Sequence, residues 1–313
     1  MSPVTTAPVR ELTIPAIDGF PLAACLFGDD SAESIVLIAP ATGVRQRLYR
    51  AYAGFLAARG HRVVTWDWRG TGRSRPTSLR GFEATMRDWG ERDLGGVIAW
   101  TSEQPGAARL AVVGHSFGGQ ALGLAPNAGH IARAVTIASQ SGYFGHWPLR
   151  WQLAYAPLWH LVVPAVTTLV GYFPSNWFGL GEPLPRGVAL QWARWCRRAE
   201  YLGDYSGHRS FTAPLLALSF TDDPIASLAS VEALHAYFGS RPLERRHVAP
   251  REIGVQTVGH FGFFREGVAP TLWEETALWL ERPASAERAA VTEPTPGPEP
   301  VAGTEPADRN QPP

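Results

Sequence analysis

A serine between two glycines is the clearest sign of chemistry in this sequence. Ser116 lies in the run from Gly114 to Gly118, after the apolar residues 110–113 and before small residues that favour a helix. Glycines two residues before and after the serine let the backbone reverse sharply and leave the hydroxyl exposed at the turn. A helix starting there also directs free N–H groups toward developing negative charge. The pattern indicates a serine nucleophile, and the alternative is a turn whose glycines serve packing alone.

A serine hydroxyl needs a base, and two later stretches offer one with its supporting acid. An imidazole can accept the serine proton, and a carboxylate holds that imidazole in place and stabilises its cation. His260 follows residues 251–258, which we predict as the last strand, and Asp222 and Asp223 follow an earlier apolar strand. Because parallel strands end at one edge of a sheet, these residues are expected to meet Ser116 there. We predict His260 as the base and Asp223 as the acid, with Asp222 as the alternative acid.

Three other histidines fit the role of base less well. His115 adjoins the serine, but successive residues at a sharp turn point apart, so we interpret it as structural. His235 lies in a predicted helix and His247 in a predicted polar loop. Neither follows a strand, so neither is expected at the reactive edge.

The composition limits the chemistry available to this serine. All 28 positively charged residues are arginine, which excludes a lysine Schiff base, a P-loop lysine and a Ser-Lys pair. The formal net charge of +0 gives no electrostatic reason to expect a nucleic-acid partner. Cys25 and Cys196 are too few for a disulfide framework or a cysteine zinc site, so no metal and no cofactor are predicted. Residues 1–10 lack a basic segment followed by an apolar core, so we expect a cytoplasmic enzyme.

Apolar runs and helical patterns alternate along most of the chain. The first two predicted strands flank Asp18-Gly19, a hairpin signal. Predicted strands are residues 10–14, 22–27, 34–39, 61–66, 110–113, 132–138, 214–220 and 251–258. Predicted helices are residues 46–59, 86–103, 117–125, 227–238 and 272–280. Strand, helix and strand joined by short links imply crossovers in a parallel sheet, so we predict an α/β fold with a doubly wound, mostly parallel sheet.

The stretch from Asp67 to Ser74 contains paired glycines, Gly70 and Gly72, that could suggest a nucleotide-binding loop. The third glycine of such a loop is missing at the required spacing, and the segment does not open a helix directly. We therefore interpret this stretch as a structural turn.

Residues 142–212 break the alternation of strands and helices. Six of the twelve tryptophans fall here, and residues 151–181 carry no formal charge. Beside a reactive serine, such a segment predicts a helical cap whose underside lines an apolar substrate pocket. Residues 153–173 approach the length of a membrane span, but Pro157 and Pro164 are expected to interrupt it. Weak peripheral membrane contact through the cap stays open as an alternative to a purely soluble role.

These patterns divide the chain into four parts. Residues 1–141 and 213–282 are the two parts of the α/β core, and residues 142–212 are the cap between them. Residues 283–313 are rich in Pro, Glu, Ala and Thr without apolar periodicity, which predicts a disordered tail.

Four motifs together resemble the α/β-hydrolase superfamily, close to its predicted serine hydrolase branch akin to serine aminopeptidases and monoacylglycerol lipases. The motifs are Gly114-His-Ser116-Phe-Gly118-Gly119, Asp67-Trp-Arg-Gly-Thr-Gly-Arg-Ser74, Asp223-Pro-Ile and Gly259-His260-Phe-Gly. They span most of residues 10–281. The resemblance implies an eight-stranded sheet with an antiparallel second strand and a helical cap between strands six and seven.

The resemblance also implies an oxyanion hole, a pair of N–H donors for the charge that forms on the reacting oxygen. The N–H of Phe117 follows the nucleophile and is one donor. Relatives carry His-Gly after the third strand, whereas this chain has Pro40-Ala41; aligning on Tyr49 makes Thr42 the second donor. Each such donor contributes ~3 kcal/mol of transition-state stabilisation.

The expected function is a cofactor-free serine esterase for a small molecule with an apolar part. Acyl transfer or aminopeptidase activity with the same triad is the first alternative. Recognition of a free N-terminus would need an acidic residue in the pocket, for which Glu182, Glu200 and Asp204 are the candidates. A non-catalytic ligand-binding protein of the same fold is the second alternative.

Overall fold

The computed structural model describes residues 9–240 and 242–282, and these contain one eight-stranded sheet. Its strands are β1 (Val9–Pro15), β2 (Pro21–Phe27), β3 (Ile35–Ala39), β4 (Arg62–Trp66), β5 (Leu110–His115), β6 (Arg133–Ile137), β7 (Leu215–Phe220) and β8 (Leu243–Val248). Their order across the sheet is β1-β2-β4-β3-β5-β6-β7-β8. Strand β2 is antiparallel to both neighbours and every other pair is parallel. The predicted α/β fold class is confirmed.

Helices cover both faces of this sheet. They are α1 (Arg50–Ala58), α2 (residues 86–102), α3 (Phe117–Gln120), α4 (Leu149–Val170), α5 (Arg186–Cys196), α6 (Ser206–Ser210), α7 (Leu228–His235) and α8 (Glu274–Glu281). One apolar layer packs against α2 and the segment between β6 and β7, and the other packs against α1 and α8. Side chains of β3 alternate between them, with Leu37 in the first layer and Val36 and Ile38 in the second. Burial on both faces explains the continuous apolar runs of the central strands.

The predicted last strand at residues 251–258 is wrong. The edge strand is β8, which pairs only with β7, while Pro250–Ile253 is a 3-10 helix that ends at Gly254 with φ +71°. Strand β8 was missed because its middle residues are polar and exposed, as suits a sheet edge that must not pair with another chain. His247 therefore lies in this strand and not in a loop, and its ring contacts Ser219 Oγ at 2.8 Å.

The stretch from Asp67 to Ser74 is a structural turn, in agreement with the sequence interpretation. The buried Asp67 carboxylate accepts hydrogen bonds from the backbone N–H groups of Gln46 at 2.8 Å and Arg73 at 2.9 Å. Gly72 is required here, because a Cβ at that position would lie 2.3 Å from the Asp67 carboxylate. The turn therefore fixes the start of the helix that follows β3.

Arg69 in this turn holds a buried ionic cluster together. Its Nε donates to Asp93 at 2.6 Å, its two terminal nitrogens donate to Asp18 at 2.7 Å, and its backbone N–H donates to Asp93 at 2.9 Å. These bonds keep the pKa of Asp18 low, at about 2. The cluster joins the β1–β2 hairpin, the turn after β4 and helix α2.

The segment between β6 and β7, which we call the insert (residues 142–212), is mostly helical as predicted, and it also contains a two-stranded antiparallel sheet of Tyr172–Phe173 and Leu184–Pro185. Its helix α4 is continuous through Pro157 and Pro164, contrary to the expected interruption, because a π-helical turn at Leu158–Val162 lies between them. By length and composition α4 could cross a membrane, and 17 % of its apolar window is buried. The described residues up to Arg282 form one compact unit. The predicted tail, residues 283–313, lies outside the described residues.

Removing the acid that faces Arg69 tests the ionic cluster. We expect Asp93→Ala to lower the free energy of unfolding by about 3–5 kcal/mol, because it leaves a buried guanidinium half paired. Glu11→Gln, which breaks the exposed ion pair with Arg73, should cause no measurable change. Urea unfolding of the two variants and the parent makes the comparison. Equal stability of Asp93→Ala and the parent would show that the cluster does not hold the fold.

Candidate active site

Ser116 occupies a strained position at the end of β5. Its backbone has φ 50° and ψ −112°, a region that residues with a side chain seldom adopt, and helix α3 begins at the next residue. Its N–H donates to the Ile137 carbonyl at 2.9 Å, which ties the turn to β6. The sharp reversal predicted from the sequence is therefore present.

Three glycines around Ser116 are needed, because backbone lies against Gly114 and Gly118 and the Ser139 side chain lies against Gly119. A Cβ at Gly114 would lie 2.5 Å from the Gly119 nitrogen, and one at Gly118 would lie 2.0 Å from the Ala39 carbonyl oxygen at the end of β3. A Cβ at Gly119 would lie 2.1 Å from Ser139 Oγ. These separations are far below van der Waals contact, so no other residue fits without backbone movement. The helix after Ser116 thus packs directly on β3, close to the predicted oxyanion loop.

His260 and Asp223 meet at the same edge of the sheet. The Nδ1–H of His260 donates to Asp223 Oδ2 at 2.8 Å, and both side chains are buried. The other carboxylate oxygen of Asp223 accepts the N–H groups of Ile225 at 2.7 Å and Ala226 at 2.9 Å. These bonds fix the carboxylate and orient the imidazole, and among the described residues no hydrogen bond engages the Nε2 of His260.

Asp222 has a different task from Asp223. Its carboxylate accepts Thr257 Oγ1–H at 2.8 Å and the N–H groups of Val258 at 2.9 Å and Gly259 at 3.0 Å. Although burial opposes the shift, these bonds lower the pKa of Asp222. Asp222 therefore shapes the loop that carries His260, and of the two acids left open by the sequence only Asp223 contacts the ring.

Ser116 and His260 line one apolar cavity of about 230 Å³ beneath the insert. Among its walls are Trp147, Tyr155, Leu158, Trp159, Trp192 and Phe261. No arginine, aspartate or glutamate lines it within the described part of the chain. Over the same residues, no hydrogen bond joins Ser116 Oγ to the His260 ring. Such contacts commonly tighten only when substrate is bound, so the shared cavity is the relevant relation.

The two predicted oxyanion donors lie beside Ser116. Thr42 lines the cavity, on the loop after β3, and Phe117 is the first residue of α3. Across residues 9–240 and 242–282, neither backbone N–H is engaged in a hydrogen bond. Both donors are thus available to a ligand oxygen.

A buried hydrogen-bonded chain links the loop after β3 to His260. The Ala41 N–H donates to Tyr49 Oη at 2.9 Å, the Tyr49 hydroxyl lies 3.0 Å from His115 Nδ1, and His115 Nε2 lies 2.9 Å from the His260 carbonyl oxygen. Burial lowers the pKa of His115 well below 6.5, so this ring is neutral. Because a carbonyl only accepts, His115 must carry its proton on Nε2 and accept the Tyr49 hydroxyl at Nδ1. His115 is structural as predicted, and every group in the chain is satisfied.

Tyr49 had no role of its own in the sequence-based interpretation. The residue serves there to align this chain with relatives, and it lies in the helix predicted at residues 46–59. The role depends on a buried hydroxyl that lies between two loops distant in sequence, and local periodicity does not show such a contact. The pairing of a tyrosine at 49 with the histidine before the nucleophile is the one signal that could have suggested it.

The three acids proposed for recognition of a free N-terminus lie outside the cavity. Glu182 accepts the Gly72 N–H at 2.7 Å and pairs with Arg45. Glu200 and Asp204 are exposed, and Asp204 accepts the Ser206 N–H at 2.8 Å. Since none of them reaches the cavity, the structure gives this alternative no acidic partner.

Comparison with known proteins identifies the class to which this chain belongs. The profile of the alpha/beta hydrolase family matches residues 35–301, so the chain is a member of that family. No curated protein sequence matches it significantly.

Solved structures share the fold at low sequence identity. An esterase from Exiguobacterium antarcticum matches with a TM-score of 0.59 and 17% identity, over 87% of this chain and 100% of that one. An esterase from Pyrococcus furiosus matches with a TM-score of 0.58 and 14% identity, over 88% and 93%. A hypothetical protein from Pseudomonas aeruginosa matches with a TM-score of 0.60 and 16% identity, over 88% and 94%. At these identities the likeness establishes the fold alone.

The contact between His260 and Asp223 is testable without a substrate. We expect a hydrogen-bonded Nδ1–H resonance of His260 at low field in the proton NMR spectrum, because the proton is held by a buried carboxylate. Asp223→Ala should remove this resonance, whereas Asp222→Asn should keep it, since Asp222 does not touch the ring. Loss of the signal in Asp222→Asn with retention in Asp223→Ala would reverse the assignment.

Proposed function

We propose that this protein is a serine hydrolase that cleaves a carboxylic ester of a small molecule with an apolar part. The observation that carries the proposal is the single cavity lined by Ser116 and His260, with Asp223 bound to the far side of the imidazole. Acyl transfer to a serine needs an exposed serine hydroxyl, a base to take its proton and an acid to hold that base. The strained serine before a helix start, the imidazole and the fixed carboxylate match these parts.

The first half of the reaction forms an acyl-enzyme. His260 Nε2 takes the proton of Ser116 as the serine oxygen attacks the ester carbonyl, and Asp223 stabilises the imidazolium that results. The oxyanion of the tetrahedral intermediate accepts hydrogen bonds from the N–H groups of Phe117 and Thr42. When the bond to the alcohol breaks, the imidazolium gives its proton to the departing oxygen.

The second half consumes one water molecule. His260 takes a proton from the water as its oxygen attacks the acyl-enzyme carbonyl, and the same two N–H groups bind the new oxyanion. Collapse of this intermediate returns the proton to Ser116 and releases the carboxylic acid. No other reactant is required.

The walls of the cavity favour an apolar acyl or alcohol group. Aromatic side chains dominate them, and burial of such a group contributes roughly 25 cal/mol per Å² of surface removed from water. An aminopeptidase would bury a substrate ammonium next to a carboxylate, and the described cavity wall offers none. The insert therefore acts as the cap of this site, and ester cleavage is the function that its lining supports best.

Removal of the nucleophile is the direct test. We expect Ser116→Ala to lose hydrolysis of p-nitrophenyl esters and labelling by a fluorophosphonate, because Ser116 is the only serine among the described residues that lines the cavity with His260. Ser102→Ala is the control, since this hydroxyl donates to the Ile98 carbonyl in α2. Both variants should keep the parent's circular dichroism spectrum. Retained turnover in Ser116→Ala, or labelling at another residue, would refute the proposed nucleophile.

Tyr49 is a positioning residue, and its hydroxyl is testable by removal. Tyr49→Phe leaves the Ala41 N–H and His115 Nδ1 without partners, so we expect kcat to fall about tenfold with KM little changed. Tyr52→Phe is a matched control, because Tyr52 is equally buried but its hydroxyl contacts Thr276 at 2.8 Å.

Urea unfolding of the two variants shows whether a loss of kcat comes from lost positioning or from a lower free energy of unfolding. We expect both tyrosine variants to lose similar stability, while only Tyr49→Phe loses kcat. Equal kcat in the two variants would show that the hydrogen bonds that link Ala41 to His260 through Tyr49 and His115 contribute to folding alone.

A further inference from the structure

An arginine-lined groove of about 1120 Å³ adjoins the apolar cavity. The groove and the cavity share the lining residues Val44, Gly179, Gly181 and Phe261. The groove is therefore a continuation of the site at the surface, so a ligand that fills the cavity can extend into it.

The groove carries an excess of positive charge. It is lined by Arg45, Arg47, Arg50 and Arg75, and its one acidic residue is Glu182. Four positive and one negative side chain leave a formal charge of +3 in the groove, although the whole chain has a formal net charge of +0. The charge is thus concentrated beside the cavity and is not a property of the whole surface.

Glu182, the acidic residue that lines the groove, already has an ion-pair partner and a hydrogen-bond donor. Glu182 pairs with Arg45 through one oxygen and accepts the Gly72 N–H with the other, and its backbone N–H donates to the Gly43 carbonyl. Among the described residues, Arg47, Arg50 and Arg75 have no carboxylate within ion-pair distance. Three guanidinium groups therefore face the groove without a protein anion to balance them.

Arginines elsewhere on this surface are of both kinds. Arg10, Arg73 and Arg87 pair with Asp30, Glu11 and Glu91, whereas Arg198 and Arg209 have no carboxylate within ion-pair distance among the described residues. In a chain without lysine, arginine also serves general solvation, but solvation does not require three unpaired guanidinium groups around one concave surface. A guanidinium binds carboxylate and phosphate oxygens through two parallel N–H donors, so the unpaired groups suit an anionic ligand.

We propose that the ester substrate carries an anionic group, a carboxylate or a phosphate, which the groove binds through Arg47, Arg50 and Arg75 while the apolar part occupies the cavity. This proposal rests on the proposed esterase function and names the substrate class for the same site. Because no arginine, aspartate or glutamate lines the cavity among the described residues, the anion has to lie in the groove.

Paired esters that differ only in the charge at one end test this proposal. The first series consists of mono-p-nitrophenyl esters of dicarboxylic acids, and the second of the same compounds with the free carboxylate capped as a methyl ester. For at least one chain length we expect kcat/KM to be about tenfold higher for the charged ester in low salt. The preference should shrink at high ionic strength, since the arginines are exposed to solvent.

A charge-matched pair of variants assigns the preference to the groove. Arg47→Gln combined with Arg50→Gln and Arg75→Gln should abolish the preference and leave cleavage of the capped esters unchanged. The control removes three exposed arginines outside the groove, Arg198, Arg209 and Arg251, each replaced by glutamine. It has the same net charge and should keep the preference. Equal loss in both variants would point to general charge and overturn the proposal.

The remaining outcomes separate this proposal from the esterase function. Cleavage of both series with equal kcat/KM at every chain length would overturn the anionic substrate and leave the esterase intact. Cleavage of neither series, with no fluorophosphonate labelling, would overturn the esterase and this proposal together. A last outcome applies if the charged soluble esters are not preferred. The protein would then be tested for sedimentation with phosphatidylglycerol and phosphatidylcholine vesicles. Binding to phosphatidylglycerol vesicles alone, lost when Arg47, Arg50 and Arg75 are replaced by glutamine, would assign the groove to a lipid headgroup and overturn the anionic ester.

Discussion

The close backbone contact between the turn after β5 and the end of β3 is the constraint on which the site depends. Gly118 lies so near the Ala39 carbonyl that any Cβ would displace one of them. This contact holds the first turn of α3 against the end of β3, next to the strained backbone of Ser116. The turn at Ser116 and the end of β3 are thus held together by one packing requirement, which glycine alone satisfies.

Two hydrogen-bond systems hold His260 relative to this turn. Asp223 accepts a hydrogen bond from the ring of His260. The neutral His115 donates a hydrogen bond to the His260 carbonyl oxygen and accepts one from the Tyr49 hydroxyl. Residues from β5, the helix after β3 and the loop after β8 therefore meet in one satisfied network. Because a buried polar group without a partner costs 1–3 kcal/mol, each member favours the same arrangement of the others.

The insert and the core divide the recognition of a ligand between them. Helix α4 and α5 supply apolar walls such as Trp159 and Trp192, which pack edge to face at 4.8 Å, while the core supplies the reactive groups. Glu182 of the insert bonds to Gly72 and Arg45 of the core, so the insert is anchored beside the arginine-lined groove. Apolar and charged surfaces consequently meet where the cavity joins the groove.

The sequence by itself determined the α/β class, the turn at Ser116 and the order of serine, acid and histidine, because these depend on local periodicity and on glycine spacing. Only the tertiary structure decided between Asp222 and Asp223, since both follow the same strand and differ only in what faces them. The tertiary structure also shows that the edge strand is Leu243–Val248, whose polar residues resemble those of a loop, and not residues 251–258. It also shows that the Tyr49 hydroxyl contacts His115. Contacts between distant segments set these features, and a linear pattern does not record them.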